Sequence, residues 1–105
     1  MSNVFHSSTI KSMTLTNRFI RSATWEGLAD QRGFVTKKLI NKLCELAAGG
    51  VGLIITSHSV VSYDGRSYKW KLELYDPDCL PGLCNLVAAV HEQGGVIASQ
   101  LAHGG

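Results

Sequence analysis

Three polar side chains, His58, Gln100 and His103, fall in or just after apolar segments that read as strands. An imidazole can donate, accept or exchange a proton, and a primary amide donates and accepts at once. Polar groups at the end of a buried strand need partners or they cost stability. In parallel α/β proteins the C-terminal strand ends form the ligand face. Each of the three is therefore a candidate ligand contact, with a satisfied core histidine or glutamine as the alternative. Ser22-Ala23-Thr24-Trp25 closes another short strand. Small residues beside a hydroxyl and a large aromatic let backbone approach a planar ligand, although packing alone would also account for them.

Other chemistries find little support. Gly49-Gly50-Val51-Gly52 precedes a strand, whereas a phosphate-binding loop follows one and opens a helix, so it reads as a helix stop and tight turn. His91-Glu92 lacks the second histidine that a zinc site would need, because Gly95 stands there. Cys44, Cys79 and Cys84 form no CxxC pair and read as free thiols of a reducing compartment. No metal site is expected. A net charge of +2 gives no strong pull toward nucleic acid or membrane. No basic segment runs into an apolar one at Met1-Ser2-Asn3-Val4-Phe5-His6, and no apolar stretch spans a bilayer. A cytoplasmic location follows as the default expectation.

The elements that position the polar residues can be read from periodicity. Met13-Thr14-Leu15-Thr16 alternates like a strand, Asn17 breaks it, and residues 19–23 read as the next strand. Residues 25–33 read as a loop. Thr36 is a helix N-cap, and Leu39, Ile40, Leu43, Leu46 and Ala47 share one face of the helix that follows. Gly49-Gly50 stops that helix, and residues 51–56 form a continuous apolar run, the mark of a strand buried on both faces. Residues 57–77 read as a long polar and aromatic excursion. Pro81 opens a second helix with Leu83, Leu86, Val87 and Val90 as its apolar stripe. Gly94-Gly95 stops it, and residues 96–101 form a third buried-looking strand.

The order helix, Gly-Gly, Val, apolar strand thus occurs twice. It implies βαβ units, a parallel sheet and right-handed crossovers. An open doubly wound sheet and a (β/α)₈ barrel both satisfy it. Either would be short at 105 residues, since a barrel typically takes ~250. The chain is expected to be the N-terminal part of such a fold, with about three barrel strands and two helices.

Taken together, the segments resemble the N-terminal portion of the Old Yellow Enzyme family (NADH:flavin oxidoreductase / NADH oxidase). The resemblance runs from about Ile10 to Gly105. It rests on Lys11-Ser12-Met13-Thr14-Leu15-Thr16-Asn17-Arg18, on Gly49-Gly50-Val51-Gly52-Leu53-Ile54-Ile55-Thr56 and on Asp64-Gly65-Arg66. Tyr75-Asp76, Val90-His91-x-x-Gly94-Gly95 and Gln100-Leu101-Ala102-His103 complete it, in order and at matching spacing.

The resemblance implies a (β/α)₈ TIM barrel that holds non-covalent FMN at the strand C-termini. It implies hydride transfer from NADH or NADPH to an activated alkene such as an enone. Residues 1–105 would be the N-terminal part of that FMN-binding domain. Ser22, Ala23, Thr24 and Trp25 would line one edge of the isoalloxazine, with backbone N–H groups facing atoms where charge builds on reduction. Gln100 would present its amide to the pyrimidine edge, and His58 stands where the family usually places a small residue against the flavin. Many members have Pro in place of Ala23, and Thr or Cys near Trp25. The family's substrate-anchoring His pair, proton-donating Tyr and phosphate-binding glycines fall later than this sequence reaches. Alone, the chain is expected to be inactive and either oligomeric or held by a complementary chain. The competing readings are a small α/β binding or interaction module without catalysis and a non-flavin barrel enzyme.

Overall fold

The computed structural model describes residues 4–66 and 69–105. Met1–Asn3, the start of the segment read for a targeting signal, and two residues of the 57–77 excursion lie outside the described residues.

The chain opens with a two-stranded antiparallel hairpin, β1 (Ser8–Ile10) and β2 (Met13–Leu15), in which Ile10 pairs with Met13. The two-residue turn is made at Lys11, whose φ is 52°. A three-stranded sheet follows, built from β3 (Ile20–Arg21), β4 (Leu53–Val60) and β5 (Ile97–Ala102) in the order β3-β4-β5, with both pairings parallel. The helix α1 (Lys37–Ala48) connects β3 to β4, and α2 (Leu80–Glu92) connects β4 to β5.

Sequential strand order decides between the two architectures left open above. A doubly wound sheet reverses direction and places its helices on opposite faces. Here the strands advance one way and α1 packs directly on α2, so both helices cover the same face. That is the winding of a (β/α) barrel.

Each helix forms for local reasons. Thr36 is extended, and its Oγ accepts the Leu39 N–H at 3.2 Å, satisfying one orphan donor of the first turn. Leu39, Leu43 and Ala47 recur on one face and are buried. In α2 the buried positions are Leu86 and Val90, with Leu83 partly covered, while Val87 lies outside the stripe. Both helices run into a glycine at positive φ, Gly50 at 97° and Gly94 at 78°. These turns let each chain reverse directly into the next strand. The core joins Leu39, Leu43, Ala47, Ile54, Leu86 and Val90 to Ala29 and Leu72 from the loops.

Three strand limits differ from the sequence reading. β3 is only two residues long, because beyond Arg21 the chain turns aside toward Glu26. β4 continues past the apolar run through Ser57, His58 and Ser59 to Val60. Its hydroxyls are satisfied across the sheet, so polarity does not end the strand there. β5 is mostly exposed rather than buried, since only β4 pairs with it among the described residues and little covers its other face.

The excursion after β4 is also more ordered than its composition suggests. A single turn of 3₁₀ helix spans Tyr63–Gly65. The chain then returns to extend the sheet: Val60 N–H donates to Leu72 O at 2.8 Å, and Leu74 N–H to Val60 O at 2.7 Å. On its far side Glu73 N–H donates to Gly33 O at 3.0 Å. Leu72 is thereby delivered to the core and Glu73 is buried, where Tyr75 Oη donates to its carboxylate.

That bond, then burial and the nearby Glu73 charge, raise the Tyr75 phenol above its usual range. A raised phenol pKa stabilises the fold fully below the unfolded value, near 10. This contribution is lost as pH climbs through the higher folded value. Tyr75→Phe is therefore expected to cost about 1 kcal/mol at neutral pH. The deficit should shrink above about pH 10, where only the parent loses this term. Urea unfolding of both proteins, each expressed from the entire reading frame, at pH 7, 9 and 10.5 would show a constant deficit if the pair contributes nothing.

Candidate functional site

Parallel pairing places the C-terminal ends of β3, β4 and β5 on one edge, and all the candidate residues collect there. Ile54 and Ile97 face the helices. By strand alternation, Ala98, Gln100 and Ala102 face the other way, which in a barrel is the interior. On β4 the alternation is interrupted. Ile55 pairs with Ala98, but His58 pairs with Gln100, so β4 carries one more residue than β5 between these pairs. This is a β-bulge, and it re-aims the side chains that follow it. An unbulged strand would set Ser57 beside Gln100. The bulge sets His58 there instead, on the interior face.

Hydroxyls hold the bulge together. Thr56 Oγ1 donates to Ser99 Oγ at 3.2 Å, and Ser99 Oγ donates to Ser59 Oγ at 3.0 Å. Ser59 Oγ also lies 3.3 Å from Ser57 O. Thr56, Ser57 and Ser59 are all buried. Burying such groups without partners would cost about 1–3 kcal/mol each, so the relay is what makes a polar strand end tolerable in this core.

His58 itself is half-buried, yet its Nδ1 is fully buried and has no hydrogen-bond partner among the described residues. Gln100 is exposed beside it. His103 follows β5 and is exposed. Its Nδ1 accepts the Gly105 N–H at 3.1 Å, and its ring lies against Gly65, where a Cβ would approach within 2.6 Å. Only glycine lets the 3₁₀ turn lie this close to the end of β5, an approach completed by Gly104 N–H donating to Gly65 O at 2.8 Å.

At the end of β3, Ser22 and Thr24 are exposed and Ala23 is half-buried. Thr24 Oγ1 donates to Ser22 O at 3.0 Å, so the turn is self-braced. The Trp25 ring lies over Gly27, and its Nε1–H donates to Lys69 O at 3.3 Å. The indole is therefore held between its own turn and the loop after β4. Glu26 closes this turn: its carboxylate meets Arg21 Nη2 at 2.6 Å, and Arg21 Nη1 donates to Ile55 O on β4 at 3.3 Å. Both side chains are mostly buried, 16% and 10% exposed. The pair thus ties residues 22–25 to the strand just before its bulge.

Sequence reasoning brought Ser22, Ala23, Thr24, Trp25, His58 and Gln100 to this edge, and the structure places them in the turn after β3 and on neighbouring strands. It did not single out Lys71, which is buried and lines a hollow with His58 and His103. Nor did it find the Arg21–Glu26 pair, although opposite charges five residues apart around a strand end were visible. Among the described residues there is no metal-binding group of three or more His, Cys, Asp or Glu, and no helix is long and apolar enough to cross a membrane. The three cysteines are free, and burial followed by the Asp76 charge raises the Cys79 thiol.

A singly wound parallel sheet, with helices on one face and convergent polar groups at the strand C-termini, defines the opening portion of a (β/α) barrel enzyme scaffold. Residues 3–105 match the NADH:flavin oxidoreductase / NADH oxidase family, and the chain belongs to it. It is similar to a 4,4'-dithiodibutanoate disulfide reductase of Rhodococcus erythropolis, 37% identical over 98% of this chain and 25% of that protein. A similar match is the NADH oxidase of Thermoanaerobacter brockii, 34% identical over 98% of this chain and 16% of the relative. An NADPH dehydrogenase of Halalkalibacterium halodurans is 35% identical over 97% of this chain and 30% of its own length. Among solved structures, a 2-naphthoyl-CoA reductase in complex with 2-naphthoyl-CoA superposes with a TM-score of 0.92 at 27% identity, over 96% of this chain and 16% of that one. An Old Yellow Enzyme from Pichia sp. AKU4542 shares the fold with a TM-score of 0.91 at 21% identity, over 96% of this chain and 26% of its own. The chain thus spans between about a sixth and a third of the length of these proteins.

Removing one member of a buried ion pair typically costs about 3–5 kcal/mol. Glu26→Ala, which leaves Arg21 facing Ile55 O alone, is expected to destabilise the protein expressed from its entire reading frame by about 3 kcal/mol. Glu26→Gln keeps an acceptor and should lose roughly half of that. Equal midpoints for parent and Glu26→Ala in urea would show that the pair does not brace the turn.

Proposed function

We propose that this chain forms the N-terminal part, residues 1–105, of an FMN-binding barrel domain in an NAD(P)H-dependent oxidoreductase, with an activated alkene such as an enone as hydride acceptor. The observation that carries the reading is the bulged register of β4. It sets His58, whose buried Nδ1 has no partner among the described residues, beside the exposed Gln100 amide, next to the turn of Ser22, Ala23, Thr24 and Trp25. An orphaned ring nitrogen and an unburied amide at a strand C-terminal edge suit a ring-shaped ligand bearing both donors and acceptors. The residues present therefore fit a flavin.

When bound, FMN supplies the redox chemistry, taking hydride from NADH or NADPH and giving it to the acceptor. The chain's own residues hold and orient it. Gln100 both donates and accepts, which matches a ring edge carrying both kinds of atom. The turn of residues 22–25 offers backbone to an edge of the ring, braced by Arg21–Glu26 against β4. Preorganised donors facing developing charge favour the reduced cofactor. His58 fills the floor position between them and narrows it relative to a small residue.

A second acceptor class has its own support. The Rhodococcus relative is named for reducing a disulfide, so an activated disulfide stands beside the alkene as a candidate substrate.

The protein expressed from the entire reading frame is expected to purify yellow, or to become yellow on adding FMN. A colourless protein that never gains oxidised-flavin absorbance would favour a binding module without catalysis. Gln100→Ala should weaken FMN binding by about 0.5–1.5 kcal/mol in fluorescence titration. Unchanged affinity with an intact fold would place Gln100 away from the ring.

The 105-residue polypeptide expressed alone should neither turn over NADPH nor stay monomeric. Leu101 is 62% and Ile20 51% exposed, and β5 offers an unpaired edge among the described residues. Such edges and patches recruit other chains. Light scattering that found a compact monomer, together with NADPH oxidation, would overturn this.

A further inference from the structure

β3 leaves the sheet after Arg21, while β4 beside it runs on to Val60. The backbone directions along β4 show what that departure leaves behind. Leu53 N–H donates to Phe19 O at 3.2 Å, on the β3 side, and Ile54 N–H donates to Val96 O at 2.9 Å, on the β5 side. Successive residues of a strand direct their backbone groups to alternate neighbours, so Ile55 O points to the β3 side again. The β3–β4 pairing ends at Arg21 and Ile54. A longer β3 would meet Ile55 O with a backbone N–H from the residues after Arg21.

The Arg21 side chain meets it instead. Its Nη1 donates to Ile55 O at 3.3 Å while its Nη2 donates to Glu26 Oε2 at 2.6 Å. One planar fork thus serves two acceptors on two elements, the strand and the turn. The pair is mostly buried, and a buried ion pair often adds no net stability over apolar packing. What the fork changes is the use of the backbone. Among the described residues, the N–H groups of Ala23 and Thr24 donate to no protein acceptor. Two successive backbone donors not used by the sheet, at the C-terminal edge of parallel strands, can serve a ligand there.

We propose that Arg21 is a positioning residue of the flavin site: its fork replaces the missing end of β3, and Glu26 holds it there, so that the backbone N–H groups of Ala23 and Thr24 are left to the ligand. The proposal rests on the flavin reading above and adds what keeps those donors available. Arg21 acts through the turn and touches no ligand itself. A lysine would offer a single nitrogen, which can stay with Glu26 or reach Ile55 O but cannot bridge them as a fork does. With Ile55 O unmet, a backbone N–H of the turn is drawn to it, and the ligand loses that donor.

The protein expressed from its entire reading frame is compared as parent, Arg21→Lys and Glu26→Gln. FMN affinity of the apoprotein is measured by fluorescence titration, the flavin midpoint potential at saturating FMN, and stability by the urea midpoint. Arg21→Lys is expected to weaken FMN binding about tenfold, the scale of one lost hydrogen bond. It should also move the potential to a more negative value, because donors facing developing charge favour the reduced form. Glu26→Gln holds Arg21 less firmly and should give about a threefold loss with a shift in the same direction. It carries the test if Arg21→Lys does not fold. Arg32→Lys makes the same change in the exposed pair with Asp76 and should alter neither affinity nor potential. A merely structural pair would lower the urea midpoint and leave the folded protein with the parent's affinity and potential. That result, or an equal loss in Arg32→Lys, overturns the positioning role, while a yellow parent still keeps the flavin reading. A parent that never takes up FMN rejects both.

Discussion

The extra residue that β4 carries between Ile55 and His58 decides what faces the open edge of the sheet. Side chains alternate along a strand, so one inserted residue exchanges the two faces for everything downstream. Upstream, Ile54 packs into the helix-covered core. Downstream, Ser59 turns to that side and His58 and Val60 turn to the interior. The helices gain a small hydroxyl where their cover ends, and the interior gains an imidazole. The bulge stands because Thr56, Ser99 and Ser59 supply each other's hydrogen bonds. A core of Leu and Val at these positions would have no reason to keep it.

The rest of the edge is arranged around this strand. Arg21 reaches Ile55 O from β3, just before the bulge, and brings Glu26 and the turn between them. Residues 72–74 close on Val60, just after it, and bury Lys71 and Glu73 as they do so. β4 therefore receives a partner on each side at each end, and the short β3 is sufficient because the returning loop completes the pairing. Loops that carry function are commonly positioned this way by a rigid strand.

What was legible in the sequence follows from the range of the interactions involved. The helices were readable because their signals are local: Thr36 caps a donor three residues on, the apolar stripe recurs within one turn, and Gly50 and Gly94 supply the reversal. The parallel strands were readable as apolar runs between glycine turns, and the resemblance of ordered segments to the flavin oxidoreductases pointed to the same barrel. The end of β4 was not readable, because Ser57-His58-Ser59 looks like loop until Ser99, 40 residues from Ser59, satisfies it. The position of Trp25 depends in the same way on a carbonyl 44 residues away. Lys71 carries no pattern at all in the sequence. It lies buried next to Leu72, which is part of the core.

The distribution of charge over these loops bears on what the edge can bind. Most acidic groups there are consumed within the chain. Glu26 is paired with Arg21, and Glu73 accepts from Tyr75. Asp30 accepts the N–H groups of Arg32 and Phe34, and Asp76 accepts from Asp78 N–H and Arg32. Each carboxylate is thus spent on shaping a turn, and Asp64 stays outward on the 3₁₀ turn. The side chains that face the interior edge include the Gln100 amide and the His58 imidazole. A net charge of +2 does not show this sorting, because it counts acids engaged within the scaffold like any others. Electrostatic preference at a site is set by which charges remain available there rather than by the total. On that ground the preference of the strand edge follows from the Gln100 amide, which donates and accepts, and from the His58 ring beside it, and these suit the ring-shaped ligand proposed above better than a bare ion.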